Sequence, residues 1–368
     1  MNTSNRRPAL RMLATAVPWA IACAQAQAQA QAQANVTLFG LLDAGVSHYS
    51  LSGGPRMNVL SNHGQQLSRM GIRGAEDLGQ GLKASFWLEA PVTLDDGTAG
   101  GLNFSRRSTI SLSGRWGEVR MGRDFTPTYR NDGFFDPFNA TGVGTQVIVQ
   151  ARASSSSRIA WAGKQGLNNP SYLRTSNNIS YFLPGNEGVY GTMQYAFDEQ
   201  AGGAGHPGRY VGLRLGCKDE RLNVAMSAGK IHGTSPSSAA TPGITTMSLA
   251  GSYAFRPLTV MAHWGRDRID SGVATRHLHG FMLGASANVG SGEVKLAYSQ
   301  ARINWNESPT TRKVALGYVH KLSKRTSLYA TAAHMKNSGG AQLTVASALA
   351  GRPNTSSTGM DWGIMHSF

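Results

Sequence analysis

The sequence predicts an all-β fold, a transmembrane antiparallel β-barrel of about 16 strands. Three observations support this prediction. Apolar residues recur at every second position along most of the chain, which is the period of a strand with one apolar face. Short polar connections alternate with long ones between these segments. The chain also ends on Phe368, the last of an alternating series that begins at Met360, where a frayed polar tail would be usual.

The N-terminal segment has the features of a signal peptide, predicted as residues 1–34. Basic residues precede a short apolar stretch, and the repeated Ala-Gln sequence offers several small-residue cleavage sites. Cleavage is expected after Ala32 or Ala34, and a lipid-attachment site at Cys23 is a poorer alternative. Residues 35–368 are predicted to form a single outer-membrane barrel domain, without a run of about 18 apolar residues.

The strand prediction follows from the alternation within each segment. In one segment, for example, Val294, Leu296 and Tyr298 lie on one face, and Lys295 lies on the other. The predicted strands begin near Val36, Gln66, Leu82, Phe104, Glu118, Asn177, Gly188, Tyr210, Arg221, Thr245, Pro257, His277, Glu293, Arg312, Thr326 and Gly359. The short turns are 77–81, 114–117, 184–188, 218–220, 256–257, 290–292 and 322–326, and the long connections include 93–103, 124–173 and 232–243.

A soluble β-sandwich is the alternative, with the apolar face turned inward. So many strands of one alternation would make an unusually large soluble sheet. The polar face is rich in Ser, Gly, Ala, Thr and Asn, which suits a crowded, water-filled lumen better than a solvent surface. A barrel turns the apolar face to lipid and closes every sheet edge, as a bilayer requires.

The first and last strands are predicted to pair and so to close the barrel. Leu38, Leu42 and Val46 share one face of the first strand, and Asp43 lies on the other. Phe368 is expected at the periplasmic rim, where the barrel-assembly machinery would bind the final strand. The predicted C-terminal assembly signature consists of Trp362, Ile364, His366 and Phe368.

The charge is strongly basic. Without Arg6, Arg7 and Arg11 of the signal peptide, 32 basic residues remain against 20 acidic ones, a net charge of +12. These basic residues are mostly spread singly, whereas nucleic-acid binders usually cluster them, so no nucleic-acid partner is expected. Cys217 is the one cysteine beyond the signal peptide, which excludes an internal disulfide.

Several segments resemble the general porins of Gram-negative bacteria, especially the β-proteobacterial type. The resemblance implies a sixteen-stranded homotrimer in the outer membrane, with its third loop, about 124–150, folded inward as a constriction. It also implies outer-membrane lipids and lipopolysaccharide as surroundings. The segments are VTLFGLLDAGV at 36–46, SRMGIRGAEDLGQGLKASFWLE at 68–89, GEVRMGRDFTPTY at 117–129, YLRTSNNISYFLP at 172–184, LSKRTSLYA at 322–330 and GIMHSF at 363–368.

Arginines are expected on the wall of this constriction. Met70 and Ile72 face lipid by alternation, so Arg69 faces the lumen, and its family counterpart lines the constriction. The resemblance selects Arg106, whereas alternation selects Arg107, and the choice between them stays open here. Residue Arg174 matches the third arginine of the family, and the alternation of the following strand agrees. A charge at the rim is the alternative role for Arg69.

Carboxylates of the inward loop are expected to oppose these arginines. Asp136 is the first choice, because the DPF sequence at 136–138 resembles the tip of the family's loop, and Asp132 is the second. Ordinary turn chemistry is the alternative for both residues. The additional residues predicted to line the pore are Asp43, Arg73, Glu89 and Asp124.

The predicted function is a passive diffusion channel for small hydrophilic solutes and ions, with modest anion preference. A solute-specific channel and, less favoured, a barrel hydrolase are the alternatives. The sequence has no G-x-S-x-G or H-E-x-x-H motif, so no enzyme and no catalytic residue is predicted. His277 and His279 share a strand face but have no further ligands near them in sequence, so neither a metal site nor a cofactor is expected.

Overall fold

The computed structural model describes residues 35–97, 102–153, 172–185, 187–199, 206–233, 243–270 and 274–368. The predicted signal peptide, residues 1–34, lies outside these ranges. Within them the chain forms 17 strands and two short helices. None of the helices in the described part of the chain is long and apolar enough to cross a membrane.

The strands are β1 (Asn35–Leu51), β2 (Arg56–Ser61), β3 (Arg69–Gly79), β4 (Leu82–Pro91), β5 (Arg107–Gly114), β6 (Gly117–Phe125), β7 (Arg174–Phe182), β8 (Gly188–Ala196), β9 (Tyr210–Lys218), β10 (Leu222–His232), β11 (Gly243–Ala254), β12 (Leu258–Asp270), β13 (Thr275–Val289), β14 (Gly292–Asn304), β15 (Thr310–Lys321), β16 (Thr326–Ser338) and β17 (Ser357–Ser367). The helices are α1 (Pro127–Phe134) and α2 (Val147–Ala153).

All the strands except β2 form one closed antiparallel ring, which confirms the predicted barrel of sixteen strands. From β3 onward each strand pairs with the next, and β17 returns to β1. Leu41 lies opposite Ser367 at one end of this seam, and Leu51 lies opposite Ser357 at the other. Because the ring is closed, the backbone groups of every strand find partners within the sheet, as a membrane interior demands.

The short strand β2 was not predicted. It pairs with the second half of β1, from Gly45 opposite Ser61 to Ser50 opposite Arg56. The first half of β1 pairs with β3 instead, so two strands share one side of β1. The sequence of β2 has only six residues, RMNVLS, which is too short for its alternation to stand out from a polar connection.

The observed burial follows the predicted alternation. In β15, Val314 and Leu316 are exposed on the outside of the barrel, whereas Lys313 and Ala315 are buried inside it. A soluble sandwich would show the reverse, with the large apolar residues covered. The predicted short turns all lie at one end of the barrel, which is the arrangement expected at the periplasmic rim.

The small polar residues on the inward faces suggested a polar lumen, but the lumen is not polar throughout. An apolar cluster fills part of it, in which Val147 and Ile148 of α2 are fully buried with Leu278 and Met282 of β13. The segment from 126 to 153, called the inward loop below, must cover its own apolar side chains. These side chains pack against the inner wall, which explains why the lumen contains an apolar cluster that the inward faces of the strands did not predict.

The C-terminal strand has the predicted arrangement. Met360, Trp362, Ile364 and Phe368 are each 45% exposed on the outer face, whereas Asp361 is buried inside. Their alternation is that of a strand with lipid on one side and the lumen on the other. The predicted assembly signature therefore lies on the outer surface, at the seam with β1.

Candidate functional site

The inward loop turns into the lumen directly after β6. Thr126 caps helix α1, because its hydroxyl accepts a hydrogen bond from the Tyr129 amide at 3.1 Å, and Pro127 occupies the first turn. The Thr126 hydroxyl also donates to the Tyr172 carbonyl oxygen at 2.7 Å, which ties the start of the loop to the chain returning from it. Helix α1 packs against β8–β11, and α2 packs against β13–β15. The loop thus crosses the barrel, as predicted.

A buried ionic network fixes both helices to the wall. Asp132 of α1 bonds to the Arg152 guanidinium of α2, and its other oxygen lies 2.8 Å from Nε2 of His263 in β12. Arg152 also donates to Asp267 of β12 at 2.8 Å. All four side chains are buried. Burial alone would raise the pKa of Asp132, but the contacts with Arg152 and His263 outweigh this effect and hold that pKa below its usual value.

Asp136 stabilises the turn between the helices. Its carboxylate accepts hydrogen bonds from the Phe138 amide at 2.9 Å and the Gln146 amide at 3.0 Å. Burial raises the pKa of Asp136, and these hydrogen bonds offset the rise only in part. This is the turn chemistry that the sequence left open as an alternative.

The prediction that Asp132 and Asp136 form an acidic face toward the passage needs correction. Asp132 has no exposed surface and Asp136 has 1%. Asp136 is bonded within the loop, and Asp132 is bonded to Arg152 of the loop and His263 of the wall, because buried charged and backbone groups must find partners. The loop contributes a cation and an aromatic ring to the passage instead, Arg130 and Phe134.

Two further wall residues, on β15 and β17, hold the loop by hydrogen bonds. Lys313 of β15 donates to the Val143 carbonyl oxygen at 3.1 Å and to Oε1 of Gln150 at 2.8 Å. Asp361 of β17 accepts from the Val143 amide at 2.8 Å. Lys313 and Asp361 were not predicted to have a role in the loop, although the alternation of β15 and β17 places both inward.

A cavity of about 350 Å³ lies between the inward loop and the wall, and it is called the passage. The wall contributes Arg69, Glu89, Arg106 and Arg214, and α1 contributes Arg130, Gly133 and Phe134. Glu89 accepts a hydrogen bond from Nε of Arg106 at 2.7 Å, and Nε of Arg69 lies 3.8 Å away. Arginines therefore outnumber carboxylates in this passage.

Both Arg106 and Arg107 lie inside the barrel, so the two alternatives left open by the sequence do not exclude each other. Arg107 begins β5 and points inward with Thr109, as alternation predicts. Arg106 precedes the strand, where alternation no longer applies, and its side chain bonds to Glu89 of the neighbouring strand β4. Arg106 lines the passage, whereas Arg107 lines a cavity of about 680 Å³ below it, beside the short turns.

Asp124 lies at the centre of a second group of arginines. It accepts from Arg120 at 2.6 Å and from Arg130 at 2.7 Å, and Nε of Arg107 lies 3.9 Å away. The carboxylate is buried, with 1% exposure, so it holds arginines in place rather than facing solutes. Arg120 also donates to Glu118 at 2.9 Å, so three arginines face two carboxylates and this group keeps one net positive charge below the passage.

The remaining predicted residues divide into covered and open positions. Arg174 is 9% exposed, and its guanidinium lies 4.0 Å from the centre of the Phe125 ring, so it is covered rather than pore-lining. Arg73 is exposed on the inner wall near the short-turn end, over the rings of Phe39 and Trp87 at 5.3 and 5.1 Å. The position of Arg73 on the inner wall agrees with the prediction. Arg174 was predicted to line the pore, and its covered position does not agree with that prediction.

Asp43 faces inward, as predicted, but it is fully buried. Its carboxylate accepts from the amides of Gln65 and Gln66 at 2.8 and 2.6 Å and from the Tyr329 hydroxyl at 2.6 Å. The residue therefore fastens the connection between β2 and β3 to the wall. A buried carboxylate with three donors is a structural anchor, not an open lining group.

Sequence reasoning missed Arg120 and Arg214, which complete the basic wall. Arg214 donates to Oδ1 of Asn131 at 3.1 Å, and its guanidinium lies 4.9 Å from the centre of the Tyr190 ring. Alternation could have found both, because Val119 and Met121 flank Arg120, and apolar residues likewise flank Arg214. No group of three or more potential metal ligands occurs in the described part of the chain.

Comparisons with known proteins agree with this architecture. A family model described as Gram-negative porin matches residues 14–340. Outer membrane porin protein 32 of Delftia acidovorans is 38% identical over 348 residues, which cover 91% of this chain and 94% of that protein. An outer membrane porin protein of Bordetella pertussis is 26% identical over 360 residues, covering 82% of this chain and 89% of that one.

A solved structure extends the comparison to three dimensions. An anion-selective porin from Comamonas acidovorans matches with a TM-score of 0.79 and 35% sequence identity. The match covers 91% of this chain and 100% of that structure. Fold and sequence thus agree over nearly the whole described barrel.

Proposed function

Because this chain belongs to the Gram-negative porin family and resides in the outer membrane, we propose that it is a passive diffusion channel whose constriction favours anions. The observation that supports anion preference is the charge of the narrow passage. Arg69, Arg106, Arg130 and Arg214 line it, with Glu89 as the carboxylate among its lining residues.

Charge at the narrowest point governs selectivity, because a permeating ion passes within a few ångströms of it. Charges on the distant surface are screened within about 8 Å at physiological salt. Glu89 is matched by Arg106, so Arg69 and Arg214 remain to attract an anion. Asp132 and Asp136 are buried and do not line the passage, and the charge of Asp132 is paired with that of Arg152.

Aromatic rings hold two of the inward arginines in place. Arg214 of the passage lies against Tyr190, and Arg107 of the cavity below it lies against Trp87, with 4.9 and 4.5 Å between each guanidinium and its ring centre. A cation held over an aromatic face keeps its charge while its position is restricted.

We further propose that the channel is a homotrimer and that its C-terminal strand is read by the barrel-assembly machinery. The support is the family membership and the exposed alternation that ends at Phe368. Cross-linking of the purified channel in mild detergent tests the first point. A species of three chains supports it, and a monomer at all protein concentrations opposes it.

Two measurements on the reconstituted channel test the main proposal. In liposomes, sugars of increasing size should enter at rates that fall smoothly with size. A rate that breaks this order would indicate a solute-specific channel, and negligible swelling would contradict a channel altogether. In a planar bilayer with a tenfold KCl gradient, the reversal potential should have the sign of chloride preference. The opposite sign would refute anion selectivity.

A further inference from the structure

A second cavity, of about 710 Å³, lies next to the passage on the side of the long connections. It is called the outer cavity below, and it is lined by the inward loop, by the connection 339–356 and by residues 59–63 at the end of β2. Its volume is within the range of pockets that hold small ligands, roughly 300–1,000 Å³. Leu67, Tyr129 and Thr141 line both the outer cavity and the passage, so the two cavities adjoin.

Part of the outer cavity has an apolar surface that remains open. Val143 lines it too, but this side chain is buried in the apolar cluster and serves the packing of the loop. Val59, Leu67, Leu173 and Leu343 are only partly buried, so they present apolar surface to whatever enters the cavity. A lumen that passes hydrophilic solutes alone needs a polar lining. The open apolar side chains therefore point to a solute with an apolar part.

Positive charge is concentrated on the passage side of the two cavities. The outer cavity has no arginine or lysine among its described lining residues, whereas four arginines line the passage. Asp95 is the one carboxylate among the described residues of the outer cavity, and it is exposed in the connection beyond β4. Nδ2 of Asn62 donates to this carboxylate at 2.7 Å. A solute with one apolar end and one anionic end would therefore bind in a single direction.

The apolar surface and the positive charge meet at the boundary between the cavities. Nη1 of Arg69 donates to the Leu67 carbonyl oxygen at 3.0 Å, so this guanidinium lies beside a residue that both cavities share. The ring of Tyr129, also shared, has its centre 5.0 Å from that of Phe125 in the passage. Aromatic rings pair favourably at separations of about 4.5–7 Å, so the boundary offers rings beside a cation.

We infer that this boundary binds aromatic monocarboxylates. The ring of the solute would pack against Leu67 and Tyr129, and its carboxylate would accept hydrogen bonds from Arg69. Arginine suits this role, because its fork of N–H groups matches the two oxygens of a carboxylate. Arg69 has capacity for such a ligand, since its side chain is 25% exposed and its Nε lies 3.8 Å from Glu89. The inference rests on the proposed anion channel and adds a preference for anions that carry an apolar ring.

Block of the chloride current by benzoate in reconstituted single channels tests this inference. Benzoate and nicotinate carry the same charge at pH 7 and have nearly the same shape, but nicotinate has a polar nitrogen in place of one ring CH. A buried apolar group of this size contributes a factor of about four in affinity, so benzoate should halve the current at a concentration about fourfold lower. Benzyl alcohol, which has the ring without the charge, should not block at that concentration.

Equal blocking concentrations of benzoate and nicotinate in an anion-selective channel would overturn this inference alone. That comparison uses the unmodified chain and needs no variant to fold. A reversal potential with the sign of cation preference would instead contradict the proposed function on which the inference rests.

A pair of matched variants locates the site. The outer-cavity variant carries Leu173→Gln and Leu343→Gln, which replace open apolar side chains by polar ones of similar size. Its half-blocking concentration for benzoate should rise about fourfold or more. The control variant carries Leu94→Gln and Leu102→Gln, two exposed leucines that line neither cavity, and it should match the unmodified chain. Equal changes in the two variants would overturn the assignment of the ring to the outer cavity.

Discussion

The backbone of Phe368 exchanges two hydrogen bonds with Gly40, at 3.0 and 3.1 Å, and its aromatic ring covers the bare face of that glycine. A side chain at position 40 would collide with the ring. The last residue of the chain and the first strand are therefore fitted to each other at the seam of the barrel. This contact gives the terminal aromatic a specific place, beyond its general affinity for the membrane interface.

Deletion of Phe368 is expected to lower the yield of folded barrel in the outer membrane. The ring is 45% exposed, so its contribution to the stability of the seam is roughly 1–2 kcal/mol. The measurement is the fraction of heat-modifiable protein in membranes at native expression level. Gly40→Leu should cause a similar loss, because it displaces the ring, whereas Phe368→Tyr should retain the yield. Equal yields from the deleted and full-length chains would contradict the expectation.

The seam also shows what could be predicted from the sequence alone. Alternation assigned Leu38 and Val46 to lipid and Asp43 to the interior, and the structure agrees at each position. The same rule was sufficient for the number of strands in the ring and for its closure. Period-two patterning carries this information because a membrane barrel separates apolar from polar environments at every residue of every strand.

The inward loop marks the limit of that approach. Nothing in the local sequence distinguishes an aspartate that faces a passage from one enclosed by Arg152 and His263, since these partners are distant in the chain. Arg106 lies just outside β5, so strand periodicity could not orient it. Tertiary contacts decide both cases, and alternation carries no information about them.

The network around Asp132 leads to a prediction about loop stability. Removing one partner of a buried ion pair typically costs about 3–5 kcal/mol, so Asp132→Asn should loosen α1 from α2. Single-channel recordings at neutral pH should then show larger current fluctuations, with the barrel still folded. Asp270→Asn is the control, because it removes an exposed carboxylate whose ion pair contributes at most about 1 kcal/mol. Quiet recordings from the Asp132→Asn channel would show that other contacts hold the loop.

The same carboxylate predicts a pH dependence. The pKa of Asp132 is lowered in the folded protein, so its stabilisation is fully present above its usual value of about 4. It is lost as the pH falls through the lowered value. Recordings should therefore be equally quiet at pH 7 and 5 and should become noisy only below about pH 4. The Asp132→Asn channel should lack this transition, and a transition near neutral pH in the unmodified channel would contradict the assignment.

Phe134 should limit the width of the passage. Its ring lines the passage and is 57% exposed, with the Arg214 guanidinium 5.7 Å from its centre. Replacing Phe134 by Ala should raise single-channel conductance and speed the entry of larger sugars into liposomes. Phe255→Ala, which removes an exposed ring at the short-turn rim, should leave both unchanged. An unchanged size limit in the Phe134→Ala channel would place the narrowest point elsewhere.

The final prediction concerns the charges that determine selectivity. Arg69 and Arg214 line the passage, and neither is the main partner of a carboxylate, so neutralising both removes positive charge without exposing a buried anion. The double variant Arg69→Gln with Arg214→Gln should therefore lose most of its anion preference in a tenfold salt gradient. The difference from the unmodified channel should shrink toward 1 M salt, where screening acts within about 3 Å.

Neutralising Arg221 and Arg325 at the short-turn rim gives the same change in net charge and should leave the reversal potential unaltered. Equal shifts from both pairs would mean that total charge, rather than charge at the constriction, sets the selectivity.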